Sequence, residues 1–371
     1  MNRKMTIVAS LAACALALFL VTRPSPGQLH NDYLAQGTNG VSQARLRAAI
    51  DPLFDNADLG ETRALLVMKD GDIIAERYGE GFGPDNKLIS WSMAKSITAT
   101  LVGLMVSDGR LVLDAPAPVP AWSQPGDPRG TITLRQLLHM SSGLEHVETG
   151  DPVYESDTVR MLFMGGADDM AAYAEAKPLA ARPGAKFQYS TATSMILSDI
   201  MTRALTLSED PDVRRRAMMQ FIRGRLVEPL GLTSLTPEFD ARGTLIGGSF
   251  MHATARDYAR FGEFLRHEGE AQGRQILSAR WVRFMRSSSP LDGGYGGHLW
   301  LNKPRPEGAS EALFPGRGPS SLFAGLGHQG QYILVSPEQG LTIVRLGRST
   351  EKEQPAVRSA LAGLVELFPA G

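Results

Sequence analysis

The sequence contains very little cysteine and almost no excess of charge of either sign. A single cysteine, Cys14, stands in 371 residues, so an internal disulfide and a cysteine-rich zinc site are both excluded. The 38 lysines and arginines nearly balance 39 aspartates and glutamates, which leaves a formal net charge of -1. Broad nucleic-acid binding needs a basic surface that displaces counterions, so this balance argues against a nucleic-acid partner.

Several catalytic signatures are also missing. The sequence has no Gly-x-Ser-x-Gly elbow, no P-loop and no His-Glu-x-x-His, which disfavours an α/β-hydrolase, a nucleotide kinase and a zinc protease. His139 and His146 flank a Ser-Ser-Gly turn, but two histidines alone are more typical of a structural role than of a metal site. We therefore predict neither a metal nor a cofactor.

One long apolar run lies at the N-terminus. Residues 5–21 are apolar apart from Thr6 and Ser10, and they follow the basic pair Arg3 and Lys4. A charged start followed by an apolar stretch is the pattern of an export signal. We predict that residues 1–22 are a signal peptide or membrane anchor and that the rest of the chain is periplasmic or in the cell envelope.

Three interpretations of this segment stay open. An uncleaved anchor fits its length and the basic residues at its start. A cleaved signal needs a small-x-small site, and Ser25-Pro26-Gly27 is a poor one because proline intervenes. Lipoprotein processing is suggested by Leu11-Ala12-Ala13-Cys14. Residues 23–40 are rich in Pro, Gly and Asn and are predicted to form a linker.

Two pairs of β-rich runs lie near opposite ends of the chain. Residues 64–69 and 72–78 are joined by Asp70-Gly71, a dipeptide that accepts positive φ and favours a hairpin. Residues 331–335 and 341–346 form the second pair. We expect these runs to form one antiparallel sheet built from both chain ends.

The chain between the hairpins shows mostly helical periodicity. Helix signals, including a Thr133–Gln136 capping pair, predict helices over residues 42–54, 92–108, 133–139, 190–205, from 254 onward and 354–367. The expected fold is α/β (α+β): an antiparallel sheet flanked by helices with an inserted, mostly helical lobe over about residues 92–290. Residues 41–371 are predicted to form this domain.

The first candidate catalytic motif is Ser92-Met93-Ala94-Lys95, at the start of a predicted helix. Three residues are less than one helical turn, so the two polar side chains share a face. A serine needs a neighbour that takes its proton before it becomes a good nucleophile. Lysine can do so when burial lowers its pKa, and Trp91, Ala94, Ile97 and Leu101 are placed to bury Lys95.

Two further motifs lie far along the chain. Tyr189 precedes a predicted helix, where a phenol either relays a proton or packs the helix entry. Residues 325–330 match G-x-G-x-x-G, but they precede a β-run instead of a helix, which rejects a dinucleotide site. The alternative is a glycine-flanked strand start that lets a substrate approach the backbone, with His328 and Gly330 facing it.

In this order and spacing, Ser92-Met93-Ala94-Lys95, Tyr189-Ser190-Thr191 and Gly327-His328-Gln329-Gly330 resemble the motifs of the serine β-lactamase and penicillin-binding superfamily. The branch they resemble most is class C-like and includes esterases and aminohexanoate-dimer (nylon-oligomer) hydrolases. Supporting similarity lies in residues 134–144, 228–232 and 254–257, and the resemblance covers about residues 46–367.

The resemblance implies an acyl-enzyme mechanism. Ser92 would be acylated, Lys95 would take its proton, and Tyr189 would pass a proton to the leaving group. The oxyanion would lie between the backbone N–H groups of Ser92 and Gln331. Trp300, with His298, fits either the lining of the acyl pocket or core packing.

Two departures from the family pattern bear on the substrate. Thr191 stands where the family has an asparagine amide that binds a substrate carbonyl, and His328 stands where it has a permanent cation. A neutral imidazole is a poorer anchor for a carboxylate than an ammonium. We therefore expect a small ester or amide as substrate. A penicillin-recognising DD-carboxypeptidase, a weak class C-like β-lactamase and a non-catalytic envelope binding protein remain alternatives, and the oligomeric state is not predicted.

Overall fold

The computed structural model describes residues 33–34 and 40–370. Its strands are β1 (Tyr33–Leu34), β2 (Glu61–Lys69), β3 (Asp72–Tyr78), β4 (Leu88–Ile89), β5 (Thr236–Pro237), β6 (Met251–Ala253), β7 (Glu270–Ala271), β8 (Arg274–Gln275), β9 (Trp300–Leu301), β10 (Phe323–Gly327), β11 (Gln331–Ser336) and β12 (Leu341–Arg348).

The α-helices are α1 (Gln43–Asp55), α2 (Ala94–Ser107), α3 (Leu134–Leu138), α4 (Asp157–Phe163), α5 (Met170–Glu175), α6 (Thr191–Leu205), α7 (Pro211–Ile222), α8 (Glu228–Leu230), α9 (Ala255–Arg266), α10 (Ala279–Met285) and α11 (Gln354–Val365). The helices predicted from periodicity are confirmed with small differences at their ends. The predicted capping box of α3 is present, because Thr133 and Gln136 bond each other's backbone.

A seven-stranded antiparallel sheet joins the two ends of the chain. Its strand order is β1-β3-β2-β12-β11-β10-β9, so β12 from the C-terminal part pairs directly with β2 from the N-terminal part. The β2–β3 turn has the positive φ angles that Asp70-Gly71 predicted, 53° and 93°. The expected sheet from both termini is confirmed.

Helices cover both faces of this sheet. On one face α1 and α11 bury Leu46, Val357 and Leu361 against the strands. On the other face the inserted helical region packs through α2, α6 and α9. Gly262 of α9 allows a close approach, since a Cβ there would lie 2.7 Å from Thr342 Cγ2 of β12. Two hydrophobic cores therefore sandwich the sheet, and the predicted helical lobe forms one of them.

The sequence did not predict β10, and the structure corrects the interpretation of the glycine motif. Gly327 ends β10, residues 328–330 form the turn, and β11 begins at Gln331 as predicted, so the motif is the end of one strand and the hairpin turn that leads into the next. Glycine has a low β propensity, which hid the strand. Its two glycines have a packing reason: a Cβ at Gly325 would lie 3.1 Å from Ser96 Oγ, and one at Gly327 only 2.2 Å from the Ser90 carbonyl oxygen.

The predicted signal or anchor over residues 1–22 and most of the predicted linker lie outside the described residues. Within the described ranges, no helix combines the length and the apolar character needed to cross a membrane.

Candidate active site

Ser92 lies in a tight helical turn, Trp91–Met93, that leads into α2. Trp91 has a φ of 44°, an unusual value for a bulky residue. The first hydrogen bond of the turn runs from Met93 N–H to the Ser90 carbonyl, at 3.2 Å. The Ser92 N–H precedes that bond and has no acceptor within the turn, as is usual for the first groups of a helix.

Lys95 is buried beside the Ser92 hydroxyl. Its Nζ lies 3.0 Å from Ser92 Oγ, 2.9 Å from Thr191 Oγ1 and 2.8 Å from the Gly248 carbonyl oxygen. Burial lowers the pKa of Lys95 from 10.5 to about 8, although the nearby Glu148 carboxylate opposes this shift. Lys95 is therefore an amine that can lose its proton near neutral pH.

Glu148 is a residue of this site that the sequence did not reveal. Its carboxylate accepts hydrogen bonds from the Thr191 N–H at 2.7 Å and from the Thr191 hydroxyl at 2.6 Å. His146 Nε2 also bonds it, at 2.7 Å. Burial alone would raise the pKa of Glu148, but His146, Lys95 and Thr191 outweigh burial and hold that pKa at about 2. Glu148 is therefore a permanent negative charge behind Thr191.

Thr191 was predicted to bind substrate, and the structure corrects this. The side chain is 1% exposed, and its hydroxyl already donates to Glu148 and accepts from Lys95. The one proton of this hydroxyl is donated to Glu148, so none is left to donate to a substrate carbonyl. Thr191 instead links the carboxylate to the amine.

Tyr189 precedes α6 and brings its ring over the lysine. Lys95 Nζ lies 5.0 Å from the centre of the Tyr189 ring, and the Ser92 hydroxyl is near enough to lower the pKa of the phenol, a smaller effect than burial. Burial, and secondarily the Glu148 charge, raise the pKa of Tyr189 above its usual value of 10. The phenol therefore keeps its proton at neutral pH and can donate it.

Trp300 forms the other side of Tyr189. The two rings stack with their centres 5.4 Å apart, and Tyr295 meets both rings edge-on. The structure thus places the partly exposed Trp300 next to the candidate proton donor. His298 does not line the site: it is 2% exposed, and its Nδ1 lies 3.2 Å from the Lys95 carbonyl oxygen.

The backbone N–H of Gln331 was expected to bind the oxyanion, and the strand pairing contradicts this. Asn302 N–H donates to the Leu322 carbonyl at 2.9 Å, so residues 322, 324 and 326 direct their backbone groups toward β9. Backbone groups alternate between the two edges of a strand. Gly327 therefore faces β11, where Gln331 is its partner, and the N–H of Gln331 is used inside this ladder.

The N–H of His328 lies on the opposite, open edge of β10. The β9 pairing covers only Phe323 and Ala324, which leaves the end of β10 uncovered on that side. This end abuts the nucleophile turn, because Gly327 packs against Ser90 and the His328 ring meets the Trp91 ring at 5.4 Å. Continued one residue past Gly327, the alternation turns the His328 N–H to this open edge and away from β11. Partial burial lowers the pKa of the His328 side chain, a shift that Glu351 opposes.

Gly330 was predicted to contact substrate but lies on the other side of the turn. Its carbonyl accepts a hydrogen bond from the buried guanidinium of Arg345 at 2.7 Å. The Gln331 side chain also holds the turn, since its Nε2 donates to the His328 carbonyl at 2.9 Å and to the Gly347 carbonyl at 2.7 Å. Gly330 and Gln331 therefore support the turn instead of facing a substrate.

The arrangement as a whole supplies the groups that acyl transfer needs: a hydroxyl, an amine of lowered pKa, a neutral phenol and open backbone N–H groups. The structure brings Ser92, Lys95, Tyr189, Trp300 and His328 together.

Comparisons with known proteins agree with this description. The Beta-lactamase family model matches residues 61–366. A 6-aminohexanoate-dimer hydrolase from Paenarthrobacter ureafaciens is 27% identical over 297 residues, which cover 77% of this chain and 72% of that protein.

Solved structures share the fold at lower identity. A penicillin-binding protein homologue from Caulobacter crescentus matches with a TM-score of 0.63 and 18% identity, over 89% of this chain and 98% of its own. A family VIII carboxylesterase matches with a TM-score of 0.60 and 15% identity, over 87% and 98%. The family match extends from β2 to the end of α11 and includes every residue of the candidate site, and the chain therefore belongs to the beta-lactamase family of hydrolases.

Proposed function

We propose that this protein is a serine hydrolase that cleaves a small ester or linear amide through an acyl-enzyme on Ser92. The observation that carries the proposal is the 3.0 Å contact between Ser92 Oγ and a lysine amine whose burial lowers its pKa to about 8. At pH 7 about one molecule in ten then has the neutral amine. That amine accepts the Ser92 proton as the hydroxyl attacks the substrate carbonyl.

The neighbours of Lys95 orient its lone pair. The Gly248 carbonyl can only accept a hydrogen bond, and the Thr191 hydroxyl can only accept because its proton is donated to Glu148. A neutral amine has two N–H groups, and these two acceptors take both. The lone pair of Lys95 Nζ then points toward Ser92 Oγ. Thr191 and Glu148 are thus positioning residues for the general base.

The tetrahedral oxyanion binds between the N–H groups of Ser92 and His328. The first N–H lies in the turn before α2 and the second follows the end of β10, and these two elements touch at Ser90 and Gly327. One such donor contributes roughly 3 to 4 kcal/mol to lowering the barrier. Tyr189 donates its proton to the departing oxygen or nitrogen and takes up the proton that Lys95 received from Ser92, so that the phenol and the neutral amine are both restored. In the second half, Lys95 accepts a proton from the water that attacks the acyl carbonyl, and Tyr189 donates a proton to Ser92 Oγ as it departs and regains one from Lys95.

The neutral side chain of His328 favours a substrate without a carboxylate near the scissile bond. The family's permanent cation is replaced by His328, whose lowered pKa keeps it neutral at pH 7. A neutral imidazole holds a carboxylate weakly. This supports ester or linear amide hydrolysis over a carboxypeptidase or β-lactamase activity, and the names of the aminohexanoate-dimer hydrolase and the carboxylesterase among the similar proteins agree with it.

The Ser92→Ala variant tests this function. With p-nitrophenyl acetate, nitrocefin and aminohexanoate dimer as substrates, we expect the wild type to turn over the ester or the linear amide faster than nitrocefin. Loss of Ser92 should lower kcat by at least about a thousandfold. The control, Ser123→Ala, removes an exposed hydroxyl outside the site and should retain activity. Wild-type turnover by a folded Ser92→Ala variant would show that the nucleophile lies elsewhere.

A further inference from the structure

Exposed apolar side chains are concentrated in one segment beside the candidate active site. Among the described residues, most of the large hydrophobic side chains that are clearly exposed come from residues 147–164: Val147, Val153, Tyr154, Phe163 and Met164. Phe163 and Met164 are 58% and 51% exposed at the end of α4. Monomeric proteins rarely leave such neighbouring apolar surface in water without a ligand or partner for it.

A continuous path of aromatic rings leads from this segment to the nucleophile. The Phe163 and Phe250 ring centres are 5.6 Å apart, and those of Phe250 and Trp91 are 5.7 Å apart. Trp91 directly precedes Ser92 in the sequence. The same segment reaches the catalytic groups at its other end, where Glu148 bonds Thr191. The apolar surface is therefore continuous with the site and not a separate patch.

Two carboxylates of this segment are already bonded to other groups. Glu148 is bonded to Thr191 and His146, and Asp157 is bonded to Tyr173, Lys177 and the Val147 N–H. Asp151 and Glu155 are exposed, and their charge opposes an anionic ligand. The Phe163 and Phe250 rings offer apolar contacts, and Trp91 adds a single indole N–H.

This aromatic path and the leaving group occupy different sides of Ser92. Tyr189, the proton donor to the leaving group, has Trp300 and Tyr295 as its ring neighbours. Phe250 and Phe163 belong instead to the Trp91 side. A substrate whose leaving group meets Tyr189 therefore extends its acyl group along Trp91.

We propose that Trp91, Phe250, Phe163 and Met164 form a subsite for an extended, uncharged hydrocarbon chain on the acyl side of the substrate. The proposal rests on the proposed acyl transfer at Ser92 and names its substrate class: esters or amides of medium-chain, unbranched carboxylic acids. Each methylene group that leaves water along this path improves kcat/KM by roughly threefold.

Chain-length kinetics test the subsite. With p-nitrophenyl acetate, butyrate, hexanoate and octanoate, the leaving group stays constant and only the acyl chain changes. We expect kcat/KM to rise about tenfold to a hundredfold across the series, which corresponds to about two to four of the six added methylene groups leaving water. Phe163→Ser should remove most of this rise, and its effect should be smallest on acetate, whose acyl chain is the shortest. The matched control is Leu207→Ser, a residue 93% exposed beyond the far end of α6.

A binding measurement separates this proposal from the catalytic one. In the Ser92→Ala variant, calorimetry should detect octanamide but not acetamide, and adding Phe163→Ser should weaken octanamide binding at least about threefold. Octanamide binding without any hydrolysis by the wild type would support the subsite and contradict the proposed function. Ester hydrolysis that is independent of chain length, or chain-length dependence that Phe163→Ser leaves unchanged, would overturn the subsite alone.

Discussion

Lys95 is a buried amine with a carboxylate nearby, and these two features have opposite effects on its pKa. It is almost completely buried, which lowers its pKa to about 8, and it retains a carboxylate nearby, which raises that pKa. The Glu148 charge is not in direct contact with Nζ, because the Thr191 hydroxyl lies between them. The amine is therefore held in one orientation without being locked into the protonated form by an ion pair.

The rate should follow the deprotonation of Lys95. Because the base is the neutral amine, kcat/KM for p-nitrophenyl acetate should rise about tenfold per pH unit below pH 8 and level off above it. In Glu148→Gln the carboxylate that raises the Lys95 pKa is lost, so the midpoint should move to lower pH. The plateau should also fall, because the Thr191 proton is less firmly held and the lone pair is less well aimed.

Stopped-flow or plate measurements of kcat/KM between pH 5 and 10 on both proteins provide this comparison. A midpoint that is unchanged in Glu148→Gln, or one that moves to higher pH, contradicts the proposed linkage between Glu148, Thr191 and Lys95. A purely structural role for Glu148 would lower the plateau without moving the midpoint.

Among the individual residues of the site, those that belong to sequence motifs were predicted, and those outside any motif were missed. Ser92 and Lys95 are one helical step apart, and Tyr189 precedes a helix, so their spacing is informative. Glu148 lies in a loop with no periodicity, 43 positions before its partner Thr191. Its only local signal is a second ionisable residue, His146, two positions away, a pattern too common in loops to indicate function.

The turn at residues 328–330 is the element that decides the geometry of the proposed oxyanion site. Two buried side chains of the neighbouring strands hold it from behind. The guanidinium of Arg345 donates to Gly330, Thr62, Glu61 and Ser349, all through neutral oxygen atoms. Gln331 contributes its side-chain amide, which joins the His328 carbonyl to Gly347 of β12.

Replacing Gln331 by leucine should therefore impair catalysis through the backbone of His328. The variant keeps the side-chain volume but loses the bond to the His328 carbonyl, so kcat should fall about tenfold to a hundredfold with little change in KM. The free energy of unfolding should fall by about 1–3 kcal/mol, because the buried backbone groups of Gly347 lose their hydrogen-bond partner. Steady-state kinetics and thermal or urea denaturation measure the two effects.

Gln339→Leu is the matched control. Gln339 is also buried, and its amide bonds the carbonyls of Val365 and Phe368 near the end of α11. The Gln339→Leu variant should lose a similar amount of folding stability and retain the wild-type kcat. If both variants lose kcat equally, the effect of Gln331 is a general loss of stability and not a displacement of the His328 N–H.

The elements that were predicted each have a strong local signal. Asp70-Gly71 marks a hairpin, Thr133–Gln136 a capping box, and apolar periodicity marks α2 and α9. The strand β10 was not predicted because it has two glycines in five residues, and glycine is selected there by contacts with Ser96 and Ser90 that only the folded chain reveals. The resemblance placed the oxyanion N–H at Gln331, and without β10 the edge to which each backbone group points could not be derived from the sequence.

At the scale of the whole molecule, the site is assembled from two parts of the fold. The sheet contributes β10 and its turn, and the helical lobe contributes α2, the start of α6 and the loop that carries Glu148. Because β2 and β3 from the N-terminal part pair with β12 from the C-terminal part, the sheet closes only when both ends of the domain are in place. The order of motifs along the chain predicted this architecture, since the resemblance covered nearly the whole domain.

Covalent labelling tests the central claim most directly. The wild-type protein is incubated with a fluorophosphonate at pH 8 and at pH 6, digested, and analysed by mass spectrometry. We expect one adduct, on the peptide that contains Ser92, formed faster at pH 8, with loss of esterase activity in proportion to labelling. An enzyme that is inactivated by modification of another residue, or that stays active with Ser92 fully labelled, would contradict the account.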